Sequence, residues 1–180
     1  DQVGQPFKQR GKNTKKLAID KIMLDGFKSL ENRDFKIENG EKIMEHARSI
    51  KSTEEIKAMG CSISACETSM HIMENKTKPG MTENDIWSIL HSENIKRGGE
   101  WIETRLLSSG TKTNPWFQEC GSRILQNNEI VAFDTDLIGC YSMCTDISRT
   151  WWVGDREPTN EMKQDYRVAL DHIQQNAELI

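Results

Sequence analysis

Residues 133–150 read Phe-Asp-Thr-Asp-Leu-Ile-Gly-Cys-Tyr-Ser-Met-Cys-Thr-Asp-Ile-Ser-Arg-Thr, and the three aspartates in that run constrain the fold more than any other feature. On a strand, side chains at i and i+2 project from the same face, so Asp134 and Asp136 point the same way. If the chain folds back near Tyr141, Asp136 comes to lie opposite Asp146, and Asp134 opposite Ser148. Like charges placed opposite each other on a sheet are destabilising. The flanking Ile130, Val131, Ala132, Phe133, Ile147 and Trp151 are too apolar for a wholly exposed hairpin. The cluster would persist only if exposed, protonated or neutralised by a cation; a bound metal is the simplest neutraliser, and the competing readings are a solvated acidic hairpin or a different register. A cation bound by hard oxygen ligands would be Mn, Fe, Mg or, less exclusively, Zn.

Composition narrows the setting. The chain has 180 residues and a formal net charge of -4, which provides no general attraction for nucleic acid or an anionic membrane surface. No apolar run approaches the ~18 residues a membrane span requires. Five cysteines, an odd number without a CxxC pair, fit a reduced, cytoplasmic setting. Cys140 and Cys144 read as ordinary thiols, since no His or Cys partner stands nearby. Asp1 is not a Met and Ile180 falls inside a helical pattern, so a fragment of a longer protein is expected.

Residues 1–16 are polar and basic (Lys8, Arg10, Lys12, Lys15, Lys16) and read as a solvated linker. Leu17, Ile19, Ile22, Met23, Phe27 and Leu30 recur at helical spacing and predict a helix of about 14 residues. Phe35–Ile37 predicts a short strand, closed by a turn at Asn39-Gly40. Ser52-Thr-Glu-Glu is a capping-box pattern opening a helix with Ile56, Met59, Ile63, Cys66, Met70 and Met73 on one stripe. Pro79-Gly80 ends it, and Thr82 with Asp85 caps a second helix carrying Ile86, Ile89, Leu90 and Ile95. The period then changes from 3.6 to 2. Strands are predicted over 101–107, 129–136 and 143–153, with Ser108-Ser109-Gly110 as a loop. Residues 159–180 predict a last helix with Met162, Tyr166, Leu170 and Ile173 on one face.

The block from Ile50-Lys51-Ser52-Thr53-Glu54-Glu55-Ile56 through Lys78-Pro79-Gly80-Met81-Thr82-Glu83 to Asp146-Ile147-Ser148-Arg149-Thr150 resembles the creatinase, prolidase and aminopeptidase P superfamily of pita-bread proteins. The resemblance implies an α+β fold, the first half of a pita-bread catalytic domain preceded by the end of a smaller N-terminal domain. Residues 1–42 would be the tail of that domain and a linker, and residues 43–180 the N-terminal half of the catalytic domain. It also implies metal ligation by Asp136 and Asp146, with Asp134 as an additional ligand or, under a different alignment, the first one. The remaining ligands, a His and two Glu, and the catalytic base are expected downstream of Ile180. The implied cofactor is a divalent or transition metal ion, iron foremost, with Mn, Zn or Co as other occupants. The implied assembly is a homodimer.

Peptidases of this superfamily carry a substrate-facing His in the loop before the first metal strand. Here that loop, Ser108 to Cys120, contains no His, and Trp116 stands about where it is expected. A His there would assist proton transfer in peptide hydrolysis; Trp cannot. The runs Glu83-Asn84-Asp85-Ile86-Trp87, His91-Ser92-Glu93-Asn94, Arg97 to Leu107, Asn114 to Cys120 and Phe133 to Gly139 resemble the dimethylsulfoniopropionate (DMSP) lyases of the DddP type. This resemblance implies β-elimination of DMSP to dimethyl sulfide and acrylate. A Xaa-Pro dipeptidase or aminopeptidase acting on a dipeptide is the alternative, and a non-catalytic pita-bread binding protein the second. Aromatic faces attract a sulfonium cation, which makes Trp101, Trp116, Trp151 and Trp152 candidate substrate-binding residues, with core packing as the competing role for each. Arg149 stands for either a carboxylate-orienting or a hairpin-pinning role. His46, His71, His91 and His172 fall on predicted helices without metal-binding spacing, and no dinucleotide or P-loop motif is present.

Overall fold

The computed structural model describes residues 15–180. The predicted linker over residues 1–16 lies almost wholly outside the described residues. Two compact units are present, one ending at Thr53 and the other spanning Glu54–Ile180.

In the first unit, β1 (Lys16–Ile19) pairs in parallel with β2 (Lys36–Asn39), Leu17 opposite Ile37. A parallel pair needs a crossover, supplied by helix α1 (Leu24–Glu31). The predicted helix over 17–30 is thus corrected: its first residues are strand. Leu17 and Ile19 sit at i and i+2, a spacing that serves period 2 as well as the edge of a helical stripe, and pairing with β2 decides between them. A second helix, α2 (Glu41–Ser49), was not predicted. It opens where Asn39 Oδ1 accepts the Glu41 amide at 2.8 Å.

The second unit opens with α3 (Thr53–Lys76), starting directly after Ser52 as the capping pattern predicts. Its buried face differs from the predicted stripe. Ser62, Ala65, Cys66, Ser69, Met70 and Met73 are buried, whereas Ile56 is 60% exposed. The sheet approaches the small-residue side: Ser62 Oγ donates to the Met143 carbonyl at 2.8 Å. A Cβ on Gly139 would run into Ser62 Oγ. Helix α4 (Glu83–Lys96) has the capping box read from the sequence. Thr82 Oγ1 accepts from Asp85 N at 3.1 Å, and Asp85 Oδ2 accepts from Thr82 N at 2.8 Å. Ile86 and Leu90 are buried, while Ile95 is exposed.

Each strand predicted after residue 100 is divided in two. The pieces are β3 (Trp101–Ile102) and β4 (Leu107–Ser109), β5 (Glu129–Phe133) and β6 (Asp136–Ile138), and β7 (Cys144–Asp146) and β8 (Arg149–Val153). They form two antiparallel sheets, β3-β6-β7 and β4-β5-β8. Ser108 and Ser109, predicted as loop, are fully buried in β4. Alternation survives the break in the central strand: Val131, Phe133, Thr135 and Leu137 are buried, while Asp134, Asp136 and Ile138 are partly open. The core comprises the odd-numbered face together with Cys66, Met70, Met73, Ile86, Leu90, Leu107 and Leu125. A last helix, α5 (Asn160–Ala177), starts from Thr159, whose Oγ1 accepts the Met162 amide at 3.2 Å. Tyr166 and Ile173, on its predicted apolar face, are exposed. No described helix is long and apolar enough to cross a membrane.

Candidate metal centre

The hairpin folds in the register its sequence predicts. Asp136 lies opposite Asp146, Leu137 opposite Thr145 and Ile138 opposite Cys144. The same register continues across the break, with Phe133 opposite Arg149 and Val131 opposite Trp151. Asp134 meets Ser148, whose hydroxyl donates to Asp134 Oδ1 at 2.7 Å. That oxygen also accepts the Thr135 amide at 3.0 Å, which takes one main-chain donor out of the ladder at the break. The turn between the arms uses left-handed backbone at Tyr141 (φ 62°) and Ser142 (φ 57°).

Even-numbered positions on both arms share one sheet face, so Asp134, Asp136 and Asp146 belong together. Desolvation raises the Asp146 carboxyl from its ordinary value, and the charges of Asp134 and Asp136 add to the rise. The charge contribution is the repulsion expected from the register, and a divalent cation would offset it. The donor set fits such an ion, since carboxylate oxygens are hard ligands for Mg, Mn and Fe and are tolerated by Zn. Two of the three carboxylates are already oriented by protein hydroxyls: Ser148 on Asp134, and Thr104, whose Oγ1 donates to Asp136 Oδ2 at 3.0 Å. Among the described residues, no group of three or more His, Cys, Asp or Glu side chains is gathered tightly enough to hold an ion unaided. The three aspartates share one sheet face, and among the described residues no histidine completes a metal-holding group with them.

The four tryptophans divide. Trp101 is 48% exposed and lies opposite Ile138, on the face that carries Asp136 and Asp146. Trp152 pairs with Ile130 on the same face, and its indole N–H donates to the Arg156 carbonyl at 2.7 Å. Trp151 faces the other way and packs edge-on against Phe133, ring centroids 5.6 Å apart. It is partly buried and packs against the core cluster. Trp116 is 40% exposed in the loop between β4 and β5. Arg149 donates to the Ser148 carbonyl at 2.8 Å, a contact inside the hairpin.

The residue that holds this loop escaped the sequence reading. Glu83, at the first turn of α4, is fully buried. Its Oε1 accepts from Ser109 N at 2.9 Å and Ser109 Oγ at 2.8 Å. Its Oε2 accepts from Lys112 Nζ at 2.6 Å and Gly121 N at 3.1 Å. One carboxylate thereby closes both ends of the Ser109–Gly121 loop on which Trp116 stands. Arg123 extends the network, donating to Ser109 Oγ at 2.6 Å and to Glu129. The partners lie 26 to 38 residues from Glu83 along the chain, so no local pattern marks them. Thr104 was missed for a related reason, as its partner lies 32 residues away.

A helix-backed antiparallel hairpin with paired aspartates defines a class, and residues 57–180 match the family described as metallopeptidase family M24. The chain belongs to that family, which implies a divalent metal ion. Among curated proteins, the dimethylsulfoniopropionate lyase DddP of Roseovarius nubinhibens is 53% identical over 177 residues, 96% of this chain and 40% of that protein. The lyase of the same name from Roseobacter denitrificans is 53% identical over 171 residues, 92% of this chain and 38% of that protein. The chain thus spans about two fifths of the length of these relatives. Among solved structures, the X-Pro aminopeptidase of Thermotoga maritima superposes with a TM-score of 0.78 at 20% identity, covering 94% of this chain and 48% of that one. At that identity the likeness establishes the fold, which is of the pita-bread type.

Proposed function

We propose that the protein containing this chain is a metal-dependent lyase that splits DMSP into dimethyl sulfide and acrylate. The observation that carries the reading is 53% identity to DddP lyases across nearly the whole chain. The absence of a histidine between Ser108 and Cys120, where a peptidase of this fold uses one, supports it. In the reaction, a base takes a proton from the carbon next to the carboxylate, the C–H electrons form the C=C bond of acrylate, and neutral dimethyl sulfide departs with the electrons of the broken C–S bond. A metal bound in the site would supply Lewis acidity at the substrate carboxylate and so acidify that C–H. Asp134, Asp136 and Asp146 are the proposed ligands, oriented by Ser148 and Thr104. Trp101 and Trp152, on the aspartate face, and Trp116, on the clamped loop, are proposed to attract the sulfonium at about 0.5–2 kcal/mol each. Iron is the proposed metal, with Mn, Zn or Co as other occupants of a carboxylate-rich site. The resemblance to these lyases also supports a homodimer, and five free cysteines suit a reducing compartment.

The full-length protein supplied with DMSP should release dimethyl sulfide, measured by gas chromatography. Family membership favours one competing reading, a Xaa-Pro dipeptidase. Cleavage of a Xaa-Pro dipeptide without sulfide release would replace the lyase with it.

A further inference from the structure

We infer that Thr104 is a positioning residue for the metal site and that a β-bulge at Thr104-Arg105 places it there; the inference rests on the metal reading above. The bulge follows from the two ladders. Ile102 lies opposite Leu137, and Leu107 lies opposite Phe133. Four residues, 103–106, therefore span the stretch that three residues, 134–136, occupy on the facing strand. The β3–β6 ladder continues to Glu103 opposite Asp136, and the β4–β5 ladder to Leu106 opposite Asp134, which leaves Thr104 and Arg105 facing Thr135 alone. Two residues facing one is the definition of a bulge, a device that re-aims side chains beside functional sites.

The hydrogen bonds show Glu103 and Thr104 using the same partner. Glu103 N donates to the Asp136 carbonyl at 3.0 Å, and Asp134 N donates to the Leu106 carbonyl at 2.9 Å, one bond on each ladder. The Thr104 hydroxyl donates to Asp136 Oδ2 at 3.0 Å. In a regular strand Thr104, next after Glu103, would point to the face away from Asp136. The irregularity that follows Glu103 turns the Thr104 hydroxyl back onto Asp136, where it offers a neutral donor. Glu103 itself is exposed. Such a donor fixes the carboxylate rotamer and leaves Oδ1 open to a metal. Outer partners of this kind are worth roughly 10- to 100-fold in metal affinity.

The test is Mn2+ affinity of the full-length, metal-stripped protein, read by competition with a chelating dye. Thr104→Val keeps the shape and removes the hydroxyl, and is expected to weaken binding about tenfold or more. Thr104→Ser restores the donor and should bind within about twofold of wild type. Wild-type affinity in Thr104→Val, together with loss of binding in Asp136→Asn, would overturn the positioning role and leave the metal reading intact. Equal loss in the Val and Ser variants would also overturn it, since the methyl rather than the hydroxyl would then matter. Full Mn2+ affinity in both Asp136→Asn and Asp146→Asn would overturn the metal reading itself. Thr104→Ala serves as the second variant should Thr104→Val not fold; unchanged affinity there overturns the role equally.

Discussion

Replacing Glu83 by Gln is the sharpest single test of the architecture around the candidate site. The side chain keeps its size, so no cavity forms. What changes is donor-acceptor matching inside a fully buried position that receives four donors. A carboxamide oxygen at the Oε1 position can still accept from Ser109 N and Ser109 Oγ. The NH2 group then stands where Oε2 stood, facing the Lys112 ammonium and the Gly121 amide, both of which donate. Two hydrogen bonds to a charged acceptor, about 1.5–3 kcal/mol each, are lost. Lys112, whose side chain is 30% exposed, turns partly to water and recovers some of this. The expected destabilisation is about 3–5 kcal/mol, the range for breaking a buried pair from one side. Urea unfolding of the metal-free, full-length protein followed by tryptophan fluorescence measures it, because the Trp116 loop is released when the clamp opens. A double-mutant cycle with Lys112→Met should give a coupling of at least ~1 kcal/mol. A loss below ~1 kcal/mol in Glu83→Gln would mean that the buried carboxylate does not hold the loop.

Three further perturbations probe the hairpin and its support. Asp146→Asn removes a like charge opposite Asp136 and should stabilise the metal-free protein by ~0.2–1 kcal/mol while abolishing metal binding; a lower melting temperature of the metal-free variant would contradict this. Gly139→Ala places a methyl against Ser62 of α3 and should cost ~1–3 kcal/mol by overpacking, so an unchanged thermal midpoint would show that helix and turn are not in close contact. Hydrogen bonds from Lys96 and Arg97 hold Glu93 down to about 2, so its contribution is fully present above the ordinary value of 4.5 and fades as pH falls toward 2. Melting curves of wild type and Glu93→Gln should therefore differ by a constant amount from pH 7 to pH 5 and converge below; convergence on the alkaline side would refute the assignment.

What was legible in the sequence followed period-2 alternation. Asp134, Asp136 and Asp146 alternate with apolar residues, and alternation alone fixes which side chains share a face, so the Asp136–Asp146 pair emerged in the correct register. The Thr82–Asp85 capping box was legible because both partners fall within one turn. The strand breaks were not legible. They arise where Asp134 turns its carboxylate onto the next amide, and where Thr104 and Arg105 both face Thr135, a cross-strand event that no single segment encodes. The start of the first helix was misread because two apolar residues at i and i+2 suit either period, and only the parallel partner over 36–39 settles it. The exposed half of α3 was misread because helical spacing marks an apolar stripe without saying which side the sheet approaches. Glu83 stayed hidden because a buried carboxylate is recognised by its donors, and these come from a distant loop.

The two-face register kept across the strand breaks, from Ile130 to Ile138 and from Cys144 to Trp152, limits how this protein can change in length. Inserting or deleting one residue inside either arm would exchange the two faces beyond that point, sending aspartates into the core and Leu137 or Phe133 into water. Single-residue length changes among functional relatives should therefore be confined to the Gly139–Met143 turn, or be accompanied by a compensating bulge such as the one opposite Thr135.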